Sequence, residues 1–119
     1  MVALWLAANF VYGWGQTGHR TTGLVAERHL KPKARKALQK ILGQESLAMV
    51  SNWMDDIKSD STYDHLYHWH FVTIPDGQTY EQSAKSSKGD VIEALERIIA
   101  SLKSKKLTRE EERKHIKML

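Results

Sequence analysis

Residues 90–102 read DVIEALERIIASL, and this stretch sets the character of the chain. Asp90 is a favoured helix N-cap and Glu93 follows three residues later, the spacing of a capping box. Val91, Leu95, Ile98 and Leu102 then recur on one side of a 3.6-residue turn, so a core-facing helix is expected from Asp90 onward. The same signal returns downstream. Thr108 with Glu111 repeats the capping box and opens a last helix that still runs at Leu119. Upstream, Thr17–Leu30 carries Leu24, Val25 and Leu30 on one side, with His19 in its first turn. Lys31-Pro32 breaks that helix, and Pro32 suits an early position of the next, Lys33–Leu42, which Gly43 closes. Ser46–Lys58 reads as a third helix, with Leu47, Val50, Trp53, Met54 and Ile57 at helical spacing.

One interruption is expected. Ser59–Asp64 is polar and turn-like, and Trp69–Ile74 (WHFVTI) alternates and is β-branched, which predicts a short extended segment ended by Pro75-Asp76-Gly77. Residues 78–89 read as a polar surface loop. The expectation is a mainly α chain with one short extended segment. The last helix meets no Gly, Pro or cap before Leu119, and that open end is read as truncation.

The totals narrow the chemistry. A length of 119 residues suits one domain, and 41% hydrophobic residues allow a modest core. There is no cysteine, so disulfides and thiolate metal sites are excluded, and any metal falls to His, Asp, Glu or backbone groups. A net charge of +4 suits a polyanion without singling one out. Residues 1–13 (MVALWLAANFVYG) are uncharged and too short to cross a bilayer. They have the apolar character of an export signal, with Val11 and Gly13 on the cleavage side of Trp14, although they lack the usual positive start. The other reading is an apolar segment retained in the core. The boundaries are therefore 1–13 as a signal-like segment and 14–119 as the domain.

Six histidines are an enrichment for this length. His65, His68 and His70 cluster near the extended segment, where alternation places His68 and His70 on one strand face. His29 and His115 lie on charged helix faces and read as surface residues. Asp55 and Asp56 stand beside Trp53. Read alone, His70 is either a metal ligand or a half-buried strand histidine, and Asp55 is either a ligand or a helix-end carboxylate paired with Lys58. Phosphate-cradling glycine loops and serine elbows are lacking.

Three stretches in order carry a resemblance. Trp14–Arg20 (WGQTGHR), directly after the signal-like segment, Ser51–Lys58 (SNWMDDIK) and Trp69–Gly77 (WHFVTIPDG) together resemble the N-terminal portion of the S1/P1 family of zinc-dependent nucleases. The likeness extends through Lys88-Gly89-Asp90 and the following helix to Leu119. It implies the mainly helical fold shared with zinc phospholipase C and three zinc ions in a cleft. It also implies endonucleolytic cleavage of single-stranded DNA and RNA to 5′-phosphate products, with an accompanying 3′-nucleotidase activity on nucleotides. One zinc would take the free amine and carbonyl of Trp14 together with His19; another would take Asp55 and His70. A terminal amine has a pKa near ~8, so zinc displaces its proton readily at neutral pH once a leader is removed. Phe71 corresponds to an aromatic on which a base stacks, and Lys58 to a cation that meets the phosphate. Thr73 stands where relatives carry Asn or Asp near the base, which leaves base preference open. Phe71 as core and Lys58 as a helix-end charge are the plainer alternatives, and Trp53 and Trp69 read as core. The resemblance further implies a secreted or periplasmic protein without a membrane partner. Because the family's remaining ligands lie beyond these positions, the chain alone is expected to bind zinc weakly and to hydrolyse negligibly. Two other readings stand beside it: a zinc-dependent phospholipase C, and a non-catalytic basic helical binding domain.

Overall fold

A computed structural model describes residues 15–119; residues 1–13 and Trp14 lie outside the described residues. Six α-helices are formed among the described residues: α1 Gln16–His29, α2 Pro32–Leu42, α3 Leu47–Val50, α4 Trp53–Asp56, α5 Val91–Ser104 and α6 Arg109–Met118. Two 3₁₀ helices, Ile57–Ser59 and Ser61–His70, fill the middle, and no strand occurs among these residues. The chain is mainly α, as its periodicity indicated.

Local chemistry explains the regular parts. Pro32 occupies the first turn of α2, where a missing N–H costs nothing. Gly43 then stops α2 with φ +69° and donates to the carbonyl of Gln39 at 2.9 Å. The Asp90 carboxylate caps α5 by accepting the N–H groups of Ile92 and Glu93 at 2.9 and 3.0 Å. Thr108 and Glu111 close both halves of a capping box on α6. Arg113 on α6 reaches the end of α2, donating to the carbonyls of Ile41 and Leu42 at 3.0 and 2.9 Å and to Glu45 at 2.5 Å. Those carbonyls are among the groups a helix C-terminus leaves unpaired, so one guanidinium both satisfies them and ties α6 to α2.

The core is small: Leu42, Val50, Ile57, Leu66, Ala94 and Ile98 are the buried apolar residues. Within α5 the buried positions are Ala94 and Ile98, one turn apart, with Val91, Leu95 and Leu102 half-buried beside them. The loop before α5 is held from inside. Tyr80 donates to both carboxylate oxygens of Asp90, at 3.2 and 3.0 Å. Burial together with that bond pushes the phenol up to about 12, so it remains a donor.

Three expectations need correction. Ser46–Lys58 is not one helix. Ser46 caps α3, which ends after four residues; Ser51 and Asn52 make a turn; and α4 restarts at Trp53. The Ser51 hydroxyl donates to the carbonyl of Ala48 at 3.0 Å, and Asn52 is buried with its amide turned toward α1. Short polar side chains of this kind compete with the helix ladder and favour a break. The segment Ser59–Asp64 is not a plain turn either. Asp60 caps a ten-residue 3₁₀ helix by accepting from the Thr62 N–H at 2.9 Å. Nor is Trp69–Ile74 extended throughout. Trp69 and His70 complete that 3₁₀ helix, and the backbone becomes extended only at Phe71, with φ −151° and ψ 164°. Alternation makes a strand only where a neighbouring strand completes its ladder, and no such neighbour exists among the described residues. A single bond, Val91 N–H to Phe71 carbonyl at 3.1 Å, fixes the exit instead.

Candidate functional site

The 3₁₀ winding decides which side chains face the site. With about three residues per turn, positions i and i+3 eclipse and the helix has three edges. Tyr63, Leu66 and Trp69 form the packing edge. Leu66 is buried, Tyr63 meets Trp53 edge-on at 5.5 Å, and Trp69 lies under Arg97 of α5. His70 falls on a second edge, and His65 and His68 on the third. A strand would have placed His68 and His70 on one face; the 3₁₀ helix separates them.

His70 is thereby brought to Asp55. Its Nδ1 stands 4.0 Å from Asp55 Oδ1. From the other side His19, on the first turns of α1, brings Nε2 to 3.0 Å from Asp55 Oδ2. Lys58, three residues beyond Asp55, pairs with Oδ1 at 2.5 Å. Residues separated by up to 51 positions thus converge on one carboxylate. Asp55 is thus paired with Lys58, and it stands between two imidazoles.

Two residues outside the original expectation set this meeting. Gly23 is buried where α1 crosses α3, and a Cβ there would lie 2.6 Å from the carbonyl oxygen of Leu47. Only glycine permits so close an approach, one helical turn beyond His19. Asn52 is 2% exposed, and its amide links to α1 twice: the nitrogen donates to the Gln16 carbonyl at 3.2 Å and the oxygen accepts from Arg20 Nε at 2.9 Å. Asn52 therefore clamps the first turn of α1 to the turn that launches α4. A glycine inside a helical pattern was the available sign for the first. Asn52 lay within a motif, but nothing in its spacing marked it as buried.

The electrostatics follow from these contacts. The Lys58 hydrogen bond, with help from Lys58 and His19 charge, holds the Asp55 carboxyl below its ordinary 3.8 in spite of some burial. For His70, burial and then the Lys58 charge lower the pKa below 6.5, outweighing the attraction of Asp55. At neutral pH the site presents a carboxylate and a neutral imidazole, the protonation states of metal ligands.

Ligand atoms on a tetrahedral zinc, with bonds of about 2.0–2.1 Å, stand roughly 3.4 Å apart. The His19–Asp55 and Asp55–His70 separations bracket that spacing, so each pair suits a metal in donor type and distance. Among the described residues, however, no group of three or more such side chains forms an arrangement that could hold a metal ion. Both pairs share the Asp55 carboxylate, whereas the sequence expectation gave His19 and Asp55 to different ions.

These groups line a cleft of about 610 Å³ together with apolar residues that include Leu30, Leu38, Leu47 and Val50. Phe71 is 45% exposed, so it is not core, and with His68 and Thr73 it borders a second hollow. Trp53 and Trp69 are half-buried rather than core. His29 and His115 each use Nδ1 on a carbonyl of their own helix, at 2.8 and 2.7 Å, away from the site.

The chain is 28% identical over 101 residues to Endonuclease 2 of Arabidopsis thaliana, covering 76% of this chain and 33% of that protein. It is 32% identical over 72 residues to Nuclease S1 of Aspergillus oryzae (strain ATCC 42149 / RIB 40), covering 58% of this chain and 25% of that protein. The matched region thus spans a third or less of the length of either relative. No solved structure matches the chain. The family described as S1/P1 Nuclease matches residues 14–119, the whole described region together with Trp14, and the chain belongs to that family.

Proposed function

We propose that this chain is the ligand-bearing N-terminal portion of a zinc-dependent endonuclease that hydrolyses phosphodiesters of single-stranded DNA and RNA to 5′-phosphate products, and that also removes phosphate from 3′-nucleotides. The observation that carries the reading is the convergence of His19, His70 and Lys58 on Asp55 in the lining of a cleft. Asp55 and His70 would hold one zinc. His19 would hold another together with the amine and carbonyl of Trp14, once residues 1–13 are removed during export to the periplasm or exterior. Bound zinc would supply Lewis acidity and an activated water.

The chain's own residues do the rest. Lys58 is 48% exposed and, on its flexible stem, would leave Asp55 for a phosphate oxygen, exchanging one anion for another. The lowered pKa of His70 keeps its lone pair available without a proton to displace. Phe71 offers a ring face to a base, and stacking accepts any base that is unpaired. Thr73, exposed beside it, offers a hydroxyl to the base edge. Asp55, His70 and His19 are too few donors for three zinc ions, so the 119 residues alone are expected to hydrolyse negligibly. Among the described residues no helix is long and apolar enough to cross a membrane.

Calorimetric zinc titration of the chain beginning at Trp14 tests the reading. Binding is expected, abolished by EDTA and weakened at least tenfold by Asp55→Asn or His70→Ala. A trimmed chain that takes up no zinc would sink it. In the intact gene product, hydrolysis of single-stranded DNA but not of phosphatidylcholine separates the nuclease from a phospholipase. A basic binding domain would instead bind DNA with no response to chelator.

A further inference from the structure

Three rings stand together where the Ser61–His70 helix ends. Tyr67 and His68 meet edge-on at 5.3 Å, Tyr67 and Phe71 meet edge-on at 5.7 Å with their planes 78° apart, and His68 lies 6.0 Å from Phe71. Tyr67 is 59% exposed and Phe71 45%, so this cluster does not belong to the core. Winding explains it: with Tyr63, Leu66 and Trp69 turned inward, Tyr67 is left exposed and His68 half-buried beside the residue that follows the helix. A hollow of about 200 Å³ adjoins the rings, bordered by Thr73, Lys85 and Ser86 as well as His68 and Phe71. Lys85 borders that hollow and is exposed, and Lys88 is exposed three residues further along the same loop.

We infer that Tyr67 and Phe71 together form a seat for two consecutive unpaired bases, one on each ring face, with Tyr67 as a specificity-determining residue. This rests on the nuclease reading above and adds a second base position to it. Neighbouring bases in a duplex lie nearly parallel, about 3.4 Å apart along each strand. Two faces 78° apart cannot both be covered by such a pair. They can be covered only when the strand turns between the two nucleotides, which a duplex forbids and a single strand allows. Exposed lysines beside the rings supply the charge that a turning phosphate backbone requires. The pair of rings therefore discriminates by strand type and by length: an oligonucleotide covers both, a mononucleotide one.

Fluorescence anisotropy of a fluorescein-labelled oligothymidylate, with EDTA present to prevent cleavage, tests this on the 119-residue chain. The same oligonucleotide annealed to its complement and unlabelled thymidine monophosphate as competitor serve as comparisons. Tyr67→Ala is expected to weaken oligothymidylate binding by roughly five- to hundredfold and to lower the ratio of oligonucleotide to mononucleotide affinity. Tyr67→Phe should restore both, and Phe71→Ala should weaken both ligands together. Tyr67→Gln, which keeps a polar exposed side chain, repeats the test should Tyr67→Ala fold poorly; unchanged melting temperature verifies either variant. Unaltered oligothymidylate affinity in a folded Tyr67 variant, or a duplex bound as tightly as the single strand, overturns the two-base seat while leaving the nuclease reading intact. A wild-type chain that binds neither oligonucleotide nor mononucleotide overturns the nuclease reading and the seat with it.

Discussion

Two regions of this molecule are specified in different ways. In α5 and α6 each helix states its own start, by Asp90 accepting two N–H groups and by the reciprocal Thr108–Glu111 box. The segment from α3 to Phe71 has local caps at Ser46 and Asp60, but they do not fix where its short pieces go. Four residues of helix, a turn, four more and two 3₁₀ stretches follow one another, and what fixes them is distant: Gly23 and Asn52 joining to α1, Leu66 buried and Trp69 beside Arg97 of α5. The site lies in the second region. A regular helix would carry Asp55, Lys58 and His70 at fixed intervals, whereas an irregular chain can fold them onto one point, provided another element holds it there.

That contrast can be broken most severely at Gly23. Gly23→Ala would gain roughly 1 kcal/mol of helix propensity but force a methyl within 2.6 Å of a backbone oxygen that cannot easily yield. Overpacking of this kind costs about 3 kcal/mol, so a net loss of about 2 kcal/mol or more is expected in urea unfolding. Zinc affinity should fall with it, because His19 on α1 and Asp55 on α4, which follows α3, both lose their support when α1 moves off α3.

Asn52→Ala comes next. It leaves the Gln16 carbonyl and Arg20 Nε without their partner, for about 1–3 kcal/mol. Its signature is a loss of zinc affinity larger than that of any surface substitution of equal stability cost. Unaltered zinc titration in a destabilised Asn52→Ala chain would mean that Asn52 holds the fold but not the site.

In the other region, Thr108→Ala should cost about 1 kcal/mol. It should leave zinc binding untouched, since the capping box touches nothing in the site. A comparable loss of zinc affinity would erase the distinction between the regions.

The smallest effect is that of pH on the metal-free chain. The folded pKa values of His70 and Asp55 are both depressed, so in each case the unfolded chain binds the proton more readily. The stability they contribute is fully present above the unfolded values of 6.5 and 3.8. It is lost as pH falls, first from 6.5 through the folded pKa of His70 and then from 3.8 through that of Asp55. Denaturant midpoints measured across this range should decline in those two steps. His70→Gln should remove the upper step alone.

Periodicity and capping residues were enough to determine that the chain is mainly helical, with helices beginning at Asp90 and Thr108 and a break at Pro32, because those signals act within four residues of themselves. The residues Asp55, Lys58, His70 and Phe71 were also legible, through motifs in order. Their arrangement was not. Whether Trp69–His70 is strand or 3₁₀ helix depends on whether Leu66 and Trp69 find α5 or a neighbouring strand, which no local pattern encodes. Tertiary packing alone decided the close crossing at Gly23, the burial of Asn52 and the turning of Tyr67 beside Phe71. The first two depend on contacts between segments far apart in the chain, and the third on the inward packing of Leu66 and Trp69; such contacts override the weak preferences of short polar and aromatic stretches.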